Sequence, residues 1–240
     1  MFAMLPGVLS QKSWRLEEVL IPAGIVWVLA AMGVLAIWSP ASSAVLPGLS
    51  TLWGTVLVIQ LPIGLLIHRF LRRHATDWHR GFGFTQPTRP GLWIWVPVSV
   101  MGCVLILLGV NLAMQHLLLK LGWRTELQSA VLALQNGPWS VKATIAFTAV
   151  VLAPVIEEPL FRGILYQSCR DAGHPRLGLI GTSLVFGVVH GNLPTLVPLT
   201  LFGAYQCWLY ERTGNLLACI LTHAGFNAVF VGLTLAGVPG

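Results

Sequence analysis

The chain has 240 residues, of which 9% are charged and 55% hydrophobic, with a mean hydropathy of +0.77. A soluble domain carries roughly a quarter charged residues, so 14 basic and 8 acidic side chains cannot dress a water-facing surface of this size. Composition therefore excludes a soluble globular fold, a disordered chain and a disulfide-rich secreted scaffold.

The charges are also clumped. No Asp, Glu, Lys or Arg occurs in Val19–His68, Pro90–Leu119, Ala143–Ile156, Leu177–Tyr210 or Thr213–Gly240. A helix crosses the hydrocarbon of a bilayer with about 20 apolar residues. The expected fold class is all-α: a polytopic transmembrane helical bundle of about seven spans, with six to eight as the range. Taken in order, the expected spans are Val19–Trp38, Leu49–His68, Leu92–Leu119, Val141–Tyr166, Leu177–Val189, Thr195–Tyr210 and Leu216–Ala236. Lys12, Arg15, Glu17 and Glu18 precede a full-length span, a layout unlike a signal peptide. The fifth and sixth spans are short, and His190-Gly191-Asn192-Leu193-Pro194 marks a turn between them. The organisation read from this is two transmembrane regions, 1–140 and 141–236.

Two polar connections carry content. Arg69–Gly91 holds five Arg and one Asp with Trp78, Phe82 and Phe84 interleaved, and reads as a loop resting on anionic headgroups, with substrate docking as the lesser reading. In Trp123–Trp139, Leu127, Ala130, Val131 and Leu134 follow helical spacing, Thr125 with Gln128 resembles a capping box, and Asn136-Gly137-Pro138 ends the helix. This short amphipathic helix should lie in the membrane interface. With the N-terminus inside, 11 of the 14 basic residues fall on the inner side and Lys120, Arg124 and Lys142 on the outer. The positive-inside rule thus predicts a cytoplasmic N-terminus, and a plasma-membrane location if the source is prokaryotic. The net charge of +6 is explained by the same rule, so no nucleic-acid partner is expected, and membrane lipids are. Cys103, Cys169, Cys207 and Cys219 form no CxxC pair, and neither a disulfide nor a cysteine metal site is expected.

Ionisable residues inside spans cost several kcal/mol and are functional-site candidates by default. Glu157-Glu158-Pro159-Leu160-Phe161-Arg162 lies in the fourth span, Phe186-Gly187-Val188-Val189-His190 ends the fifth, and His223-Ala224-Gly225-Phe226-Asn227 lies in the last. Residues four apart share a helix face, so Glu158 and Arg162 can neutralise each other while Glu157 points about 100° away without that partner. His223 pairs in the same sense with Asn227, and Phe186 with His190. His116, His68, His74, His79 and His174 read as structural or surface histidines. Pro154 and Pro159 bracket the carboxylates, and bent backbone at membrane depth is tolerated where it lines a wet cavity. The estimated depths of Glu157, His190 and His223 do not coincide for straight, untilted spans.

The ordered set EExxxR, FxxxH and HxxxN resembles the CAAX-protease and bacteriocin-processing (CPBP/ABI) family of intramembrane endopeptidases. Ala153-Pro154 before the first motif and Gly163 after it add to the likeness, which covers roughly Val141 to Ala236. The resemblance implies hydrolysis of a peptide bond within the membrane, with 141–236 as the catalytic core and a peptide or membrane-protein substrate as partner. It makes Glu157, helped by His190, the base that activates a water, and His223 with Asn227 the oxyanion stabilisers. Glu158, Arg162 and Phe186 would support them. The chemistry suits the residues, because a carboxylate shielded from bulk water is a better base near neutrality. A metal version is also compatible with the family, with Glu157, His190 and His223 as candidate ligands for a divalent ion such as zinc. Their spacing resembles no local HExxH site, so such a centre would be assembled across helices, and a metal-free mechanism is favoured. Two rivals predict the same polar residues: a non-catalytic membrane scaffold or bacteriocin self-immunity protein, and an ion-coupled transporter, which would favour an internal repeat that this sequence lacks.

Overall fold

A backbone in hydrocarbon has no water to bond, so each charge-free run must satisfy its own N–H and C=O groups, and a helix is how it does so. The computed structural model describes residues 19–38, 46–84, 92–123 and 128–238. Among these the elements are α1 (Leu20–Trp38), α2 (Leu49–Arg73), α3 (Trp78–Gly81), α4 (Leu92–Lys120), α5 (Ser129–Asn136), α6 (Trp139–Asp171), α7 (Pro175–Val188), α8 (Leu193–Thr213) and α9 (Leu216–Leu235), with no strand among the described residues. Four stretches among the described residues, Leu49–Arg73, Ile94–Lys120, Trp139–Asp171 and Leu216–Leu235, are long and apolar enough to cross a membrane; Pro22–Ile37 and Pro175–Val188 are shorter apolar helices. This is a polytopic helical membrane bundle. Leu57, Val58, Leu105, Ile106, Leu177 and Ile180 are all more than half exposed, an outer surface suited to lipid rather than water.

The site is held by α6, α7, α8 and α9. α7 lies along α8, α4 packs on both α8 and α9, and α9 runs beside α6. Small residues set the α7–α8 distance. A Cβ on Gly187 would come 2.4 Å from Thr200 Oγ1 and 2.7 Å from the Leu196 carbonyl, and one on Gly203 would meet Ser183 Cα at 3.0 Å. Close backbone approach through Gly and Ser is how helices associate where no hydrophobic effect drives them together. The turn expected at His190–Pro194 is present: Gly191 adopts a positive φ of 61°, and Asn192 caps α8 by accepting from the Thr195 N–H at 3.1 Å. Gly214 ends α8 in the left-handed region, and Asn215 caps α9 by accepting from Leu217 N–H at 2.8 Å.

Proline shapes α6. Between Thr148 and Leu152 the helix widens to i→i+5 bonding, and the Ala153 N–H goes back to the Thr148 carbonyl. The next carbonyl, Ala149, would look to Pro154, which has no N–H. A second wide stretch, Pro159–Tyr166, begins at the other proline. The two carboxylates sit on the one regular turn between them, Ala153–Glu158. Wide turns of this kind concentrate at functional sites.

The short amphipathic helix forms as α5, but its buried face is Ala133 and Leu134, packed on Val141 and Ile145 of α6 with Leu52 and Val231 beside them. Thr125 and Leu127 lie outside the described residues, as do Lys12, Arg15, Glu17, Glu18, Arg89 and Arg124. In the basic connection, Asp77 caps α3 by accepting from the Arg80 N–H at 2.9 Å. The aromatics there do not all meet the headgroup layer as expected. Phe82 is wholly buried, its ring lies on Gly163 of α6, and its carbonyl accepts from the Leu216 N–H at the start of α9 at 3.2 Å. Sequence reasoning weighed Phe82 by its charged neighbours; its partner is a glycine 81 positions away that leaves room for a ring.

Candidate active site

Glu158 is fully buried on α6 and its Oε1 accepts two hydrogen bonds, one from Arg162 Nη1 at 3.0 Å and one from His223 Nδ1 at 2.7 Å. The intrahelical ion pair expected from the i, i+4 spacing is therefore present, and it extends across helices to α9. Arg162 is 1% exposed. Its Nη2 donates to the Gly203 carbonyl at 3.3 Å, and its guanidinium lies over the Phe186 ring, 4.5 Å from the centroid. Each charge is neutralised or stacked, which makes them tolerable in hydrocarbon.

Phe186 is the hub of the cluster. Its ring meets Phe161 edge-on at 5.2 Å, His223 at 5.9 Å, Phe202 at 6.3 Å and His190 at 5.0 Å between centroids. His190 lies two residues past the end of α7, yet its ring turns back to Phe186, and its Nδ1 lies 2.7 Å from the Phe186 carbonyl. That return brings a residue just past the end of a helix back beside the cluster.

The Nδ1 contacts define the tautomers. Facing an acceptor, Nδ1 of each histidine carries the proton, which leaves Nε2 of both rings for another partner. On α9, one turn beyond His223, Asn227 Nδ2 donates to the Ala149 carbonyl at 2.7 Å. This is the carbonyl stranded by Pro154, so proline and asparagine form a matched pair. One amide hydrogen and the amide oxygen of Asn227 stay available.

Glu157 stands apart from these pairings. It is half-buried, and its Oε2 is buried with no hydrogen-bond partner among the described residues. Of the residues singled out in the sequence, the structure gathers Glu158, Arg162, Phe186, His190 and His223 around one ring, and it anchors Asn227 to α6. Among the described residues no group of three or more His, Cys, Asp or Glu comes close enough together to hold a metal. His116 is not part of the cluster's contacts.

Three participants were not singled out in the sequence. Gly203 supplies an acceptor to Arg162 because its missing side chain lets α7 and α8 close up. Gln206 is wholly buried near the Glu158 carboxylate, with its Nε2 on the Cys219 carbonyl at 2.9 Å. A carboxamide in the charge-free run Leu177–Tyr210 carries the same cost that exposed the histidines, and that signal was readable. Ala149 offers only backbone, and no side-chain pattern marks it.

Fold and site together define a helical membrane protein whose buried polar cluster is assembled from facing helices inside the bundle. Residues 137–229 match the family model described as Type II CAAX prenyl endopeptidase Rce1-like, which bears out the resemblance carried by the three motifs. The chain is 28% identical over 88 residues to the protein named "Putative membrane peptidase YdiL" of Bacillus subtilis, covering 37% of this chain and 36% of that one. It is 38% identical over 91 residues to an "Uncharacterized 24.3 kDa protein" of Escherichia coli, covering 36% of this chain and 41% of that one. The chain thus spans only about two-fifths of the length of these relatives. No solved structure matches it at the same stringency.

Proposed function

We propose that the protein is an intramembrane endopeptidase that hydrolyses a peptide bond with Glu157 as general base. The observation that carries this reading is the division of labour between adjacent carboxylates. Glu158 is neutralised through its Oε1 by Arg162 and His223, whereas Glu157 enters no ion pair among the described residues and its buried Oε2 has no hydrogen-bond partner there. An unpaired carboxylate at depth has a cost that a catalytic role explains.

In this mechanism Glu157 takes a proton from a water, with His190 Nε2 orienting that water. The hydroxide oxygen attacks the scissile carbonyl carbon, and the carbonyl electrons move to oxygen. His223 in its doubly protonated form, with Nδ1–H held by Glu158 and Nε2–H free to donate, and the second amide hydrogen of Asn227 stabilise that oxyanion, each donor worth on the order of 3 kcal/mol. Collapse breaks the C–N bond, and Glu157 returns its proton to the leaving amine. The proposed orientation keeps the N-terminus cytoplasmic.

The test is cleavage by purified, liposome-reconstituted protein of prenylated CAAX peptides and of a membrane proteome in which precursor accumulation is scored against the Glu157→Gln variant. Loss of cleavage in a variant with an unchanged unfolding midpoint is expected. Wild-type rates from Glu157→Gln would sink the assignment. Cleavage that vanishes on exhaustive chelation and returns with zinc would replace the metal-free mechanism by the metal-dependent one.

A further inference from the structure

The far end of α2 carries a feature that the proposed reaction does not use. One stripe of this helix is exposed along its whole length: Val58, Leu61 and Leu65 are 74%, 49% and 59% exposed, and Arg69, Arg72 and Arg73 continue it. The spacings of three, four and seven residues put all of them on one face. The opposite face, Ile63, Ile67, Phe70 and Leu71, is buried in the bundle. Along a single line the surface changes from aliphatic to guanidinium within one helical turn. A phospholipid lying against that line presents acyl chain and then phosphate in the same order.

The arginines are uncommitted. Arg69, Arg72, Arg73 and the exposed Arg80 of α3 take part in none of the ion pairs among the described residues, which are Arg162–Glu158, Arg170–Asp171 and His223–Glu158. The nearest carboxylate in sequence, Asp77, is occupied in capping α3. A soluble polyanion would need only the charges; the apolar stripe leading into them selects a lipid.

We propose that Arg69, Arg72 and Arg73, with Arg80, form a docking face for the phosphate headgroup of an anionic phospholipid. The face is mechanically joined to the site. A Cβ on Gly81 would come 2.8 Å from Leu71 Cδ2, so α3 sits directly on the end of α2. From α3 the chain leads to Phe82, which rests on Gly163 one residue after Arg162 and binds the first N–H of the helix bearing His223. Lipid held at the arginines steadies that path.

The experiment uses the whole protein in nanodiscs of phosphatidylcholine alone or with phosphatidylglycerol added, reading retained lipid by native mass spectrometry and the unfolding midpoint. Wild type is expected to retain phosphatidylglycerol and gain stability from it. A juxtamembrane arginine contributes about 1 kcal/mol to anionic-lipid binding, so Arg69→Gln/Arg72→Gln/Arg73→Gln should weaken the preference by roughly a hundredfold. The triple Arg→Lys variant should keep most of it. Soluble glycerophosphoglycerol should confer no stabilisation. Equal retention of both lipids by wild type, or an unchanged preference in the Gln variant, would overturn the proposal. So would stabilisation by the soluble headgroup equal to that by the lipid. A Gln variant that unfolds already in phosphatidylcholine is replaced by single substitutions, each expected to cost about fivefold. These readouts need no proteolysis, so they stand whether or not Glu157 proves to be the base.

Discussion

Replacing Arg162 by Met tests whether the buried triad is a mutually dependent unit. Arg162 is 1% exposed and Glu158 0%, with 3.0 Å between Nη1 and Oε1. Removing the guanidinium strands a carboxylate with no route to water and His223 as its remaining bonded partner. Breaking a buried pair from one side costs about 3–5 kcal/mol. The stack on Phe186 at 4.5 Å adds up to about 2 kcal/mol in a desolvated setting. Arg162→Met should therefore destabilise the protein by roughly 4–6 kcal/mol. The double variant Glu158→Gln/Arg162→Met removes both charges and should recover at least half of that loss, because an apolar or neutral pair of similar volume is often no worse than the ion pair. The assay is reversible unfolding in mixed micelles across the double-mutant cycle. Additive losses within about 0.5 kcal/mol, or an Arg162→Met cost below about 1 kcal/mol, would refute the reasoning, since neither fits a coupled buried pair.

Two other perturbations probe the surroundings. Asn227→Ala should cost about 1–3 kcal/mol by stranding the Ala149 carbonyl. In that background Pro154→Ala, which restores a backbone N–H, should recover stability in the same unfolding assay but not cleavage of a validated substrate. Equal recovery of both would show that Asn227 acts only as a cap. Gly163→Ala should cost about 1–3 kcal/mol by driving a methyl into the Phe82 ring. Measured in a Phe82→Leu background the penalty should fall by at least half, and an unchanged penalty would place the strain elsewhere.

The helices were legible because hydrocarbon leaves no choice. A charge-free run of sufficient length must be a helix, and all seven expected spans have a helix whose ends agree to within about five residues. Glu158 with Arg162 was legible for a local reason, since i, i+4 is a property of one helix. The partner of His223 was not. It lies 65 positions back, and nothing in either segment says which of two adjacent glutamates will face α9. Glu157 was singled out for lacking a local partner, and its Oε2 does lack one among the described residues. Pro154 was read correctly as a disturbance. What it disturbs, a carbonyl that Asn227 then satisfies, appears only when the width of the turn is known. The Arg69–Gly91 segment misled in part because its charges dominate its composition, while the burial of Phe82 is recognisable only from the glycine opposite.

The sharing of Glu158 between α6 and α9 has a bearing on how the protein enters the membrane. During synthesis α6 is made long before α9, so for that interval Glu158 has Arg162 and not His223. An unpaired charge at the centre of a span carries an insertion cost of about 2.5–3.5 kcal/mol. The pair on one helix spares α6 the cost of a second unpaired charge beside Glu157. Arrival of α9 then supplies the imidazole, binds the first N–H of that helix to Phe82, and closes the cluster. The residue spacing that balances Glu158 in the finished bundle also eases the insertion of α6 before its neighbours exist, and the polar cluster is completed only when α9 arrives.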